Sequence, residues 1–465
     1  MLFNSAAFAI FLPLMLAVYW SLRGSRRRNA LLFGSYLFYG WWDWRFLGLL
    51  VLSTLAAYGC ALAIEKRDSP GSRRRILGFN IVVNLMVLGA FKYFNFFRDG
   101  LIRFGAVAGL DLDLPVFDVV LPMGISFYTF QAMSYTIDVF RGSPAEHNFG
   151  KFSLFISCFP QLVAGPIMRA GDFLPQLSRE PSLSGADFSE GVYRVFRGLF
   201  KKMIVADTLA LYVDMVFKTP EAFSGISAWI ALYAYAFQIY MDFSGYCDVA
   251  VGVGRLFGLR LDENFDRPYL ACSPSEFWRR WHITLSTWLR DYLYIPLGGS
   301  RGGRLLTTRN LLITMTLGGL WHGAAWTFVA WGLYQALLLI AERLAWRGRR
   351  PIDPDSLPAG SRLLRIVVMF HLMCLGWLLF RSPDWHTVAV MGVNLFDFSA
   401  PAVHGLRVAV LVAACMAVHA LPMFRDLGAR YARVPGFGQG ALAAVCLWVL
   451  LIGGPKSQSF IYFQF

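Results

Sequence analysis

Thr316-Leu317-Gly318-Gly319-Leu320-Trp321-His322-Gly323-Ala324-Ala325-Trp326 lies inside residues 311–340, a run without a single Asp, Glu, Lys or Arg. About 20 apolar residues suffice for a helix to cross a bilayer. Further apolar segments cover residues 8–22, 31–39, 46–64, 76–97, 119–140, 152–167, 226–241, 366–379, 406–421 and 441–452. Several are too short to span upright, which predicts tilted, broken or re-entrant pieces. Such backbone is tolerated at membrane depth only where protein or a water-filled cavity surrounds it. The expected fold is an all-α polytopic membrane protein with roughly ten to twelve transmembrane helices.

Composition agrees with that reading. AVILMFWYC residues make up 57% of the 465, and charged residues only 15%, against roughly 25% in soluble proteins. The mean hydropathy is +0.50. A soluble fold of this size would expose large apolar patches. Disorder, collagen and a small disulfide scaffold are excluded on the same grounds. The formal charge of +14 would suggest nucleic acid in a soluble protein. Here the cations cluster between apolar runs, at residues 26–28, 66–75, 343–350 and 425–433. That pattern marks cytoplasmic loops facing anionic lipid, and no groove-reading motif supports nucleic-acid binding. Arg23, Arg26, Arg27 and Arg28 follow the first apolar segment rather than precede it. That is the reverse of a cleavable signal, so the segment is expected to stay as a helix with its N-terminus outside.

Residues 68–72 and 350–361 read as surface turns. The seven cysteines are scattered without a CxxC pair, and read as small core residues rather than a disulfide set or metal cluster. No phosphate loop, dinucleotide fingerprint or G-x-S-x-G elbow is present. No internal repeat is visible, which argues against a repeat-built transporter.

From about residue 240 to 322, polar residues interrupt a chain that otherwise keeps them out. Asp242, Ser244, Tyr246 and Asp248 sit beside an expected span; Asn264 follows, then Arg279, Arg280 and His282, then Asp291. Ionisable groups at membrane depth are costly and usually line a functional cavity. The same stretch also reads as a cytoplasmic loop with interfacial Trp and Arg anchors. His322, beside Trp321, is the sharper case. It is either a packed histidine bonded to a carbonyl or a neutral imidazole poised for proton transfer. Gly318, Gly319 and Gly323 leave room around it for a neighbouring helix or a thin substrate. His147, His386 and His404 read as interfacial, and His371 and His419 as packed histidines. The spacing of His282 and His322 does not suggest a metal site.

Several motifs, taken together, resemble the membrane-bound O-acyltransferase (MBOAT) superfamily. They are Leu121-Pro122-Met123-Gly124-Ile125-Ser126-Phe127, Phe159-Pro160-Gln161-Leu162-Val163-Ala164-Gly165-Pro166 and Asp242-Phe243-Ser244-Gly245-Tyr246. Phe277-Trp278-Arg279-Arg280-Trp281-His282, Gly318-Gly319-Leu320-Trp321-His322-Gly323 and the closing Phe460-Ile461-Tyr462-Phe463-Gln464-Phe465 complete the set. Leu293-Tyr294-Ile295-Pro296-Leu297-Gly298-Gly299 is closer to the bacterial alginate O-acetyltransferase branch than to teichoic acid D-alanyltransferases. The resemblance implies one integral-membrane domain over residues 1–465, with helices and re-entrant pieces around a central tunnel and a catalytic core over about residues 120–342. It implies His322 as the active-site histidine and His282 as the second family position. Asp242, Ser244, Tyr246, Asp248, Asn264, Arg279, Arg280, Asp291 and Trp321 are expected to line the donor site or tunnel, with Arg279 and Arg280 facing donor phosphates or serving as plain anchors.

It further implies acetyl-CoA as the acyl donor, with no permanently bound cofactor and no metal. The setting would be the bacterial inner membrane, with periplasmic acetyltransferase- or esterase-like partners and exopolysaccharide machinery. Alginate, cellulose, peptidoglycan and teichoic acid stay open as acceptors. A transporter with a midplane histidine, or a scaffold without chemistry, are the competing readings of the residues alone.

Overall fold

The computed structural model describes residues 1–116, 120–163, 165–346, 353–399, 405–421, 427–452 and Phe460. Ala164, Arg350, His404, Arg425 and the closing motif after Phe460 lie outside the described residues. Among the described residues the regular structure is helical, apart from one antiparallel bridge between Phe265 and Trp281. They form two compact units: Met1–Ser184 with Val253–Leu261, and Gly185–Gly252 with Asp262–Phe465.

The first unit contains α1 (Ala6–Ser21), α2 (Gly24–Gly40), α3 (Arg45–Glu65), α4 (Pro70–Leu88), α5 (Phe94–Val107), α6 (Ile125–Phe140) and α7 (Phe149–Ser157). Ser5 starts α1 by accepting from the Phe8 amide, which satisfies one of the donors orphaned at a helix start. Pro70 opens α4, so the turn expected over residues 68–72 is shorter than its composition suggests. Proline's fixed φ suits a first helical position. α3, α4 and α6 pack together around a buried polar thread. Ser53 donates to Asn84 Oδ1 at 3.1 Å, Asn84 to Asn80 Oδ1 at 2.6 Å, and Asn80 to Thr136 Oγ1 at 2.6 Å. Such bonds hold helices together where lipid supplies no hydrophobic driving force.

The second unit contains α8 (Gly185–Leu199), which runs into a π-helical turn over Phe200–Ala206, then α9 (Asp207–Lys218) and, up to Gly252, α10 (Gly225–Leu256). The short helices α11 (Pro274–Arg280) and α12 (Ile283–Leu289) follow, then α13 (Gly303–His322), α14 (Trp326–Trp346) and α15 (Ala359–Arg381). α8 meets α10 at glycines. A Cβ on Gly252 would lie 2.7 Å from the Gly191 carbonyl, and one on Gly245 would lie 2.8 Å from that of Gly198.

Among the described residues four helical stretches are long and apolar enough to cross a membrane: Arg45–Glu65, Pro70–Val107, Trp326–Ala345 and Ala359–Arg381. Ala6–Ser21, Gly405–Ala420 and Gly436–Leu450 are shorter apolar helices. α10 has 32 residues, length enough to cross, but Asp242 and Asp248 lower its apolarity. The run over residues 311–340 does not continue as one helix. It breaks after His322 and resumes at Trp326, with Gly323 extended at φ −157° and ψ 149°.

Candidate active site

His282 is placed by a compact arrangement of backbone. Ser273 caps α11 by accepting from the Glu276 amide, with Pro274 at the first helical position. Glu276 in turn takes Arg280 in an ion pair at 2.8 Å. α11 is tied to α14 through Ser275, whose amide and hydroxyl each donate to the Glu342 carboxylate at 2.8 Å. Where α11 ends, the chain pairs with residues 264–266: Asp266 N donates to Arg280 O at 2.9 Å, and Ile283 N to Asn264 O at 3.0 Å. Between those bonds His282 adopts φ 42° and ψ 54°. Among the described non-glycine residues only His282 and Arg267 have positive φ. That conformation is costly for a residue with a Cβ and persists only where its surroundings hold it.

The Asn264 side chain orients the imidazole. Its Oδ1 accepts from Thr284 N at 3.1 Å and Thr284 Oγ1 at 2.9 Å, and lies 3.2 Å from His282 Nδ1. Its Nδ2 faces Cys247 Sγ at 3.4 Å. The Thr284 amide can only donate, so the amide orientation is settled and Nδ1 of His282 must carry the proton. Nε2 is then the basic nitrogen. His282 lies outside the four long apolar helices and is fully buried. Burial pushes its pKa down to about 3, so the ring is neutral at physiological pH.

His322 closes α13, and glycines put it there. A Cβ on Gly319 would meet the Phe328 carbonyl, and one on Gly332 would meet that of Met315. α13 and α14 therefore cross backbone to backbone. Beyond His322, the Phe328 ring occupies the space a Gly323 side chain would need. The His322 ring is 4% exposed. Its centroid lies 4.9 Å from Trp321, 5.1 Å from Trp331 and 5.2 Å from Phe380. Trp331 stacks on Trp377, and Trp377 meets Trp281 at 5.0 Å. The Trp321 ring stands beside both imidazoles, 6.0 Å from His282. Phe243 packs edge-on against His282 at 4.6 Å. Two histidines, one with a fixed tautomer, thus share a buried, mainly aromatic enclosure. Low polarity strengthens any charge interaction formed inside it.

The other polar residues from the sequence fall into two groups. On α10, Asp242 pairs with Lys202 at 2.6 Å, and Lys202 also reaches Asp207 at 2.8 Å. Asp248 takes Lys201 at 2.7 Å and the Arg197 guanidinium, while Ser244 accepts from Lys201 at 3.3 Å. These α10 carboxylates hold cations of α8 and its π-helical turn. Tyr246 packs on Phe460, centroids 4.1 Å apart.

The second group lies toward the surface. Arg279 is exposed, Arg280 is committed to Glu276 with Asp266 nearby, and Asp291 pairs with Arg290 at 2.6 Å. His371 donates from Nδ1 to Val367 O, so its Nε2 accepts from Tyr233, and His419 accepts from the Tyr269 amide. Sequence reasoning missed Trp331, Trp377, Phe380 and Thr284, which complete the enclosure and fix its tautomer. It also missed Arg197, Lys201 and Lys202. Their signal was available: buried Asp242 and Asp248 require cations, and Arg197 and Lys201 are spaced one helical turn apart.

The sequence profile of the membrane-bound O-acyltransferase family, MBOAT, matches residues 36–380. A protein of Azotobacter vinelandii named probable alginate O-acetylase AlgI is 44% identical over 402 residues, covering 86% of this chain and 78% of its own. Its namesake in Pseudomonas syringae pv. tomato is 42% identical over 428 residues, covering 89% and 80%. The peptidoglycan O-acetyltransferase of Helicobacter pylori is 34% identical over 440 residues, covering 86% and 82%. With its apolar helices, its two enclosed histidines and these matches, the chain belongs to the membrane-bound O-acyltransferase family of enzymes.

Proposed function

We propose that this enzyme moves acetyl groups from acetyl-CoA on the cytoplasmic side of the inner membrane toward an exported polysaccharide, with alginate as the favoured polymer. The alginate-named relatives, at above 40% identity over most of the chain, support the acetyl group and the polymer. The observation that carries the chemistry is the pair of imidazoles beside Trp321 in a buried aromatic enclosure.

His322 acts as general base in this reading. It takes the proton of an acceptor hydroxyl while the oxygen attacks the thioester carbonyl. The C–S bond then breaks, and the leaving thiolate recovers the proton from the imidazolium. Assistance of this kind is worth ~10²–10⁴ in rate. His282, neutral with Nε2 basic, orients the donor or relays the proton. Arg280 is largely neutralised by Glu276 and Asp266, which favours an anchoring role for it; exposed Arg279 is the better candidate for donor phosphates. The expected spans beyond the four long ones, the tunnel and the periplasmic esterase-like partners belong to the same proposal.

Transfer of radiolabelled acetyl from acetyl-CoA, measured with purified protein and its polymer-modifying partners, tests this. His322→Ala is expected to lower transfer by ~10² or more, with membrane insertion unchanged. Transfer at the wild-type rate in that variant would overturn the assignment. The H. pylori relative supports a second acceptor, peptidoglycan; acetylation of that polymer and not of alginate would select it.

A further inference from the structure

The first unit holds a cavity of about 180 Å³ that the chemistry above does not use. Tyr19 at the end of α1, Arg27 and Arg28 in the first turns of α2, Lys151 on α7, and the Arg179-Glu180 pair line it. Its lining thus carries four cations and one carboxylate. Glu180 is already engaged: it accepts from the Gly24 amide at 3.0 Å and from Arg27 at 3.2 Å. Arg27 is fixed further by the carbonyls of Leu22 and Tyr19 and lies 4.9 Å over the Trp20 ring. That pair is complete in itself.

Three cations are left over. Lys151 donates to the neutral Ser178 hydroxyl at 2.9 Å. Arg28 Nε is buried without a hydrogen-bond partner among the described residues. Among those residues none of Arg28, Lys151 and Arg179 has an ion-pair partner. Arg28 and Lys151 are half-buried and Arg179 is exposed at the mouth, and half-buried cations of like sign are held together more favourably when an anion joins them. The cavity also faces the start of α2, where backbone amides and the helix dipole favour negative charge.

Its position indicates the anion's setting. The outward faces of α1 and α2 expose Ile10, Leu14 and Phe33. The cavity lies past the end of that apolar band, where Arg23 and Arg26 flank the start of α2. Where such an apolar band meets lipid, the basic residues at its end stand at headgroup level.

We propose that this cavity is a phosphate-binding site, formed by Arg28, Lys151 and Arg179, that takes either the phosphate of an anionic glycerophospholipid or a free phosphate ion. The full chain in an uncharged detergent is titrated with dioleoylphosphatidylglycerol by native mass spectrometry. Inorganic phosphate is titrated separately by its effect on melting temperature. At about fivefold per cation removed, the double variant Arg28→Gln/Lys151→Gln is expected to bind about 25-fold more weakly. Glu180→Gln, which removes the internal competitor, is expected to bind more tightly. Variant-sensitive binding of the lipid alone assigns the site to the membrane, and a variant-sensitive response to inorganic phosphate assigns it to the free ion. Identical binding of both probes in the wild type and both variants overturns the proposal. If the double variant does not fold, Glu180→Gln decides alone, and no gain in its affinity overturns the proposal. Binding is read directly, so the outcome is independent of whether His322 is the catalytic base.

Discussion

Asn264 receives two hydrogen bonds from Thr284 on the same oxygen that orients His282. Removing that oxygen leaves a buried backbone donor without an acceptor, which costs about 1–3 kcal/mol. Asn264→Ala is therefore expected to lower stability by that amount in detergent denaturation. Acetyl transfer should fall with it, since the Nδ1–H tautomer is no longer imposed. An unchanged denaturation midpoint would show that the Thr284 amide finds another acceptor. The sequence marked His282 and Asn264 as polar residues in an apolar chain. It could not reveal that one positions the other, because their partnership depends on the non-local bridge between Phe265 and Trp281 and on a left-handed backbone that no propensity predicts. His322 stood out in the sequence as a histidine amid glycines in a run without charge, but the same residues also read as a packed histidine, and only the family motif gave it a role.

At the scale of elements, α13 and α14 are joined by absence of side chains. Gly319 and Gly332 let the two backbones touch, and the three residues between the helices turn the chain sharply enough to leave His322 at a helix end. Gly319→Ala must push α14 away or distort the Phe328 carbonyl, and overpacking of this kind costs typically 1–3 kcal/mol. Gly78 on α4 is the control, because a Cβ there meets nothing within 4 Å. Gly78→Ala should be neutral or stabilising by about 0.5–1 kcal/mol. Equal melting temperatures for the two variants would refute the close-crossing argument. Hydropathy alone read residues 311–340 as one apolar run, because it registers apolarity and not the backbone break that glycine permits. α10 shows the opposite failure. Its carboxylates make it look interrupted, yet it is a continuous helix whose charges pair inward with Lys201, Lys202 and Arg197.

For the whole molecule, composition alone was enough to identify a membrane protein, and the motifs in order were enough to place its family. The number of spans was less legible, since helices with inward-facing ion pairs are not apolar by any window average. The cysteines allow a test at this scale. All seven are free, and five of them are buried. The melting temperature is expected to be the same with and without dithiothreitol. A maleimide should label Cys272, the partly exposed thiol outside the apolar helices, ahead of the rest. A reductant-dependent shift would show a cross-link that the fold does not contain.

The Phe328 ring set against Gly323 has a consequence for anyone reshaping the space around His322. On that side of His322 the chain has no volume to give, because every larger residue collides with an aromatic already in place. Phe380 belongs to the same aromatic cluster, 4.8 Å from Phe328 and 5.2 Å from the imidazole, so shortening it opens space beside His322 while leaving Gly323 as it is. Enlarging Gly323 is therefore expected to cost folding through overpacking, whereas shortening Phe380 leaves a cavity beside the imidazole at the stability cost of a truncated core aromatic.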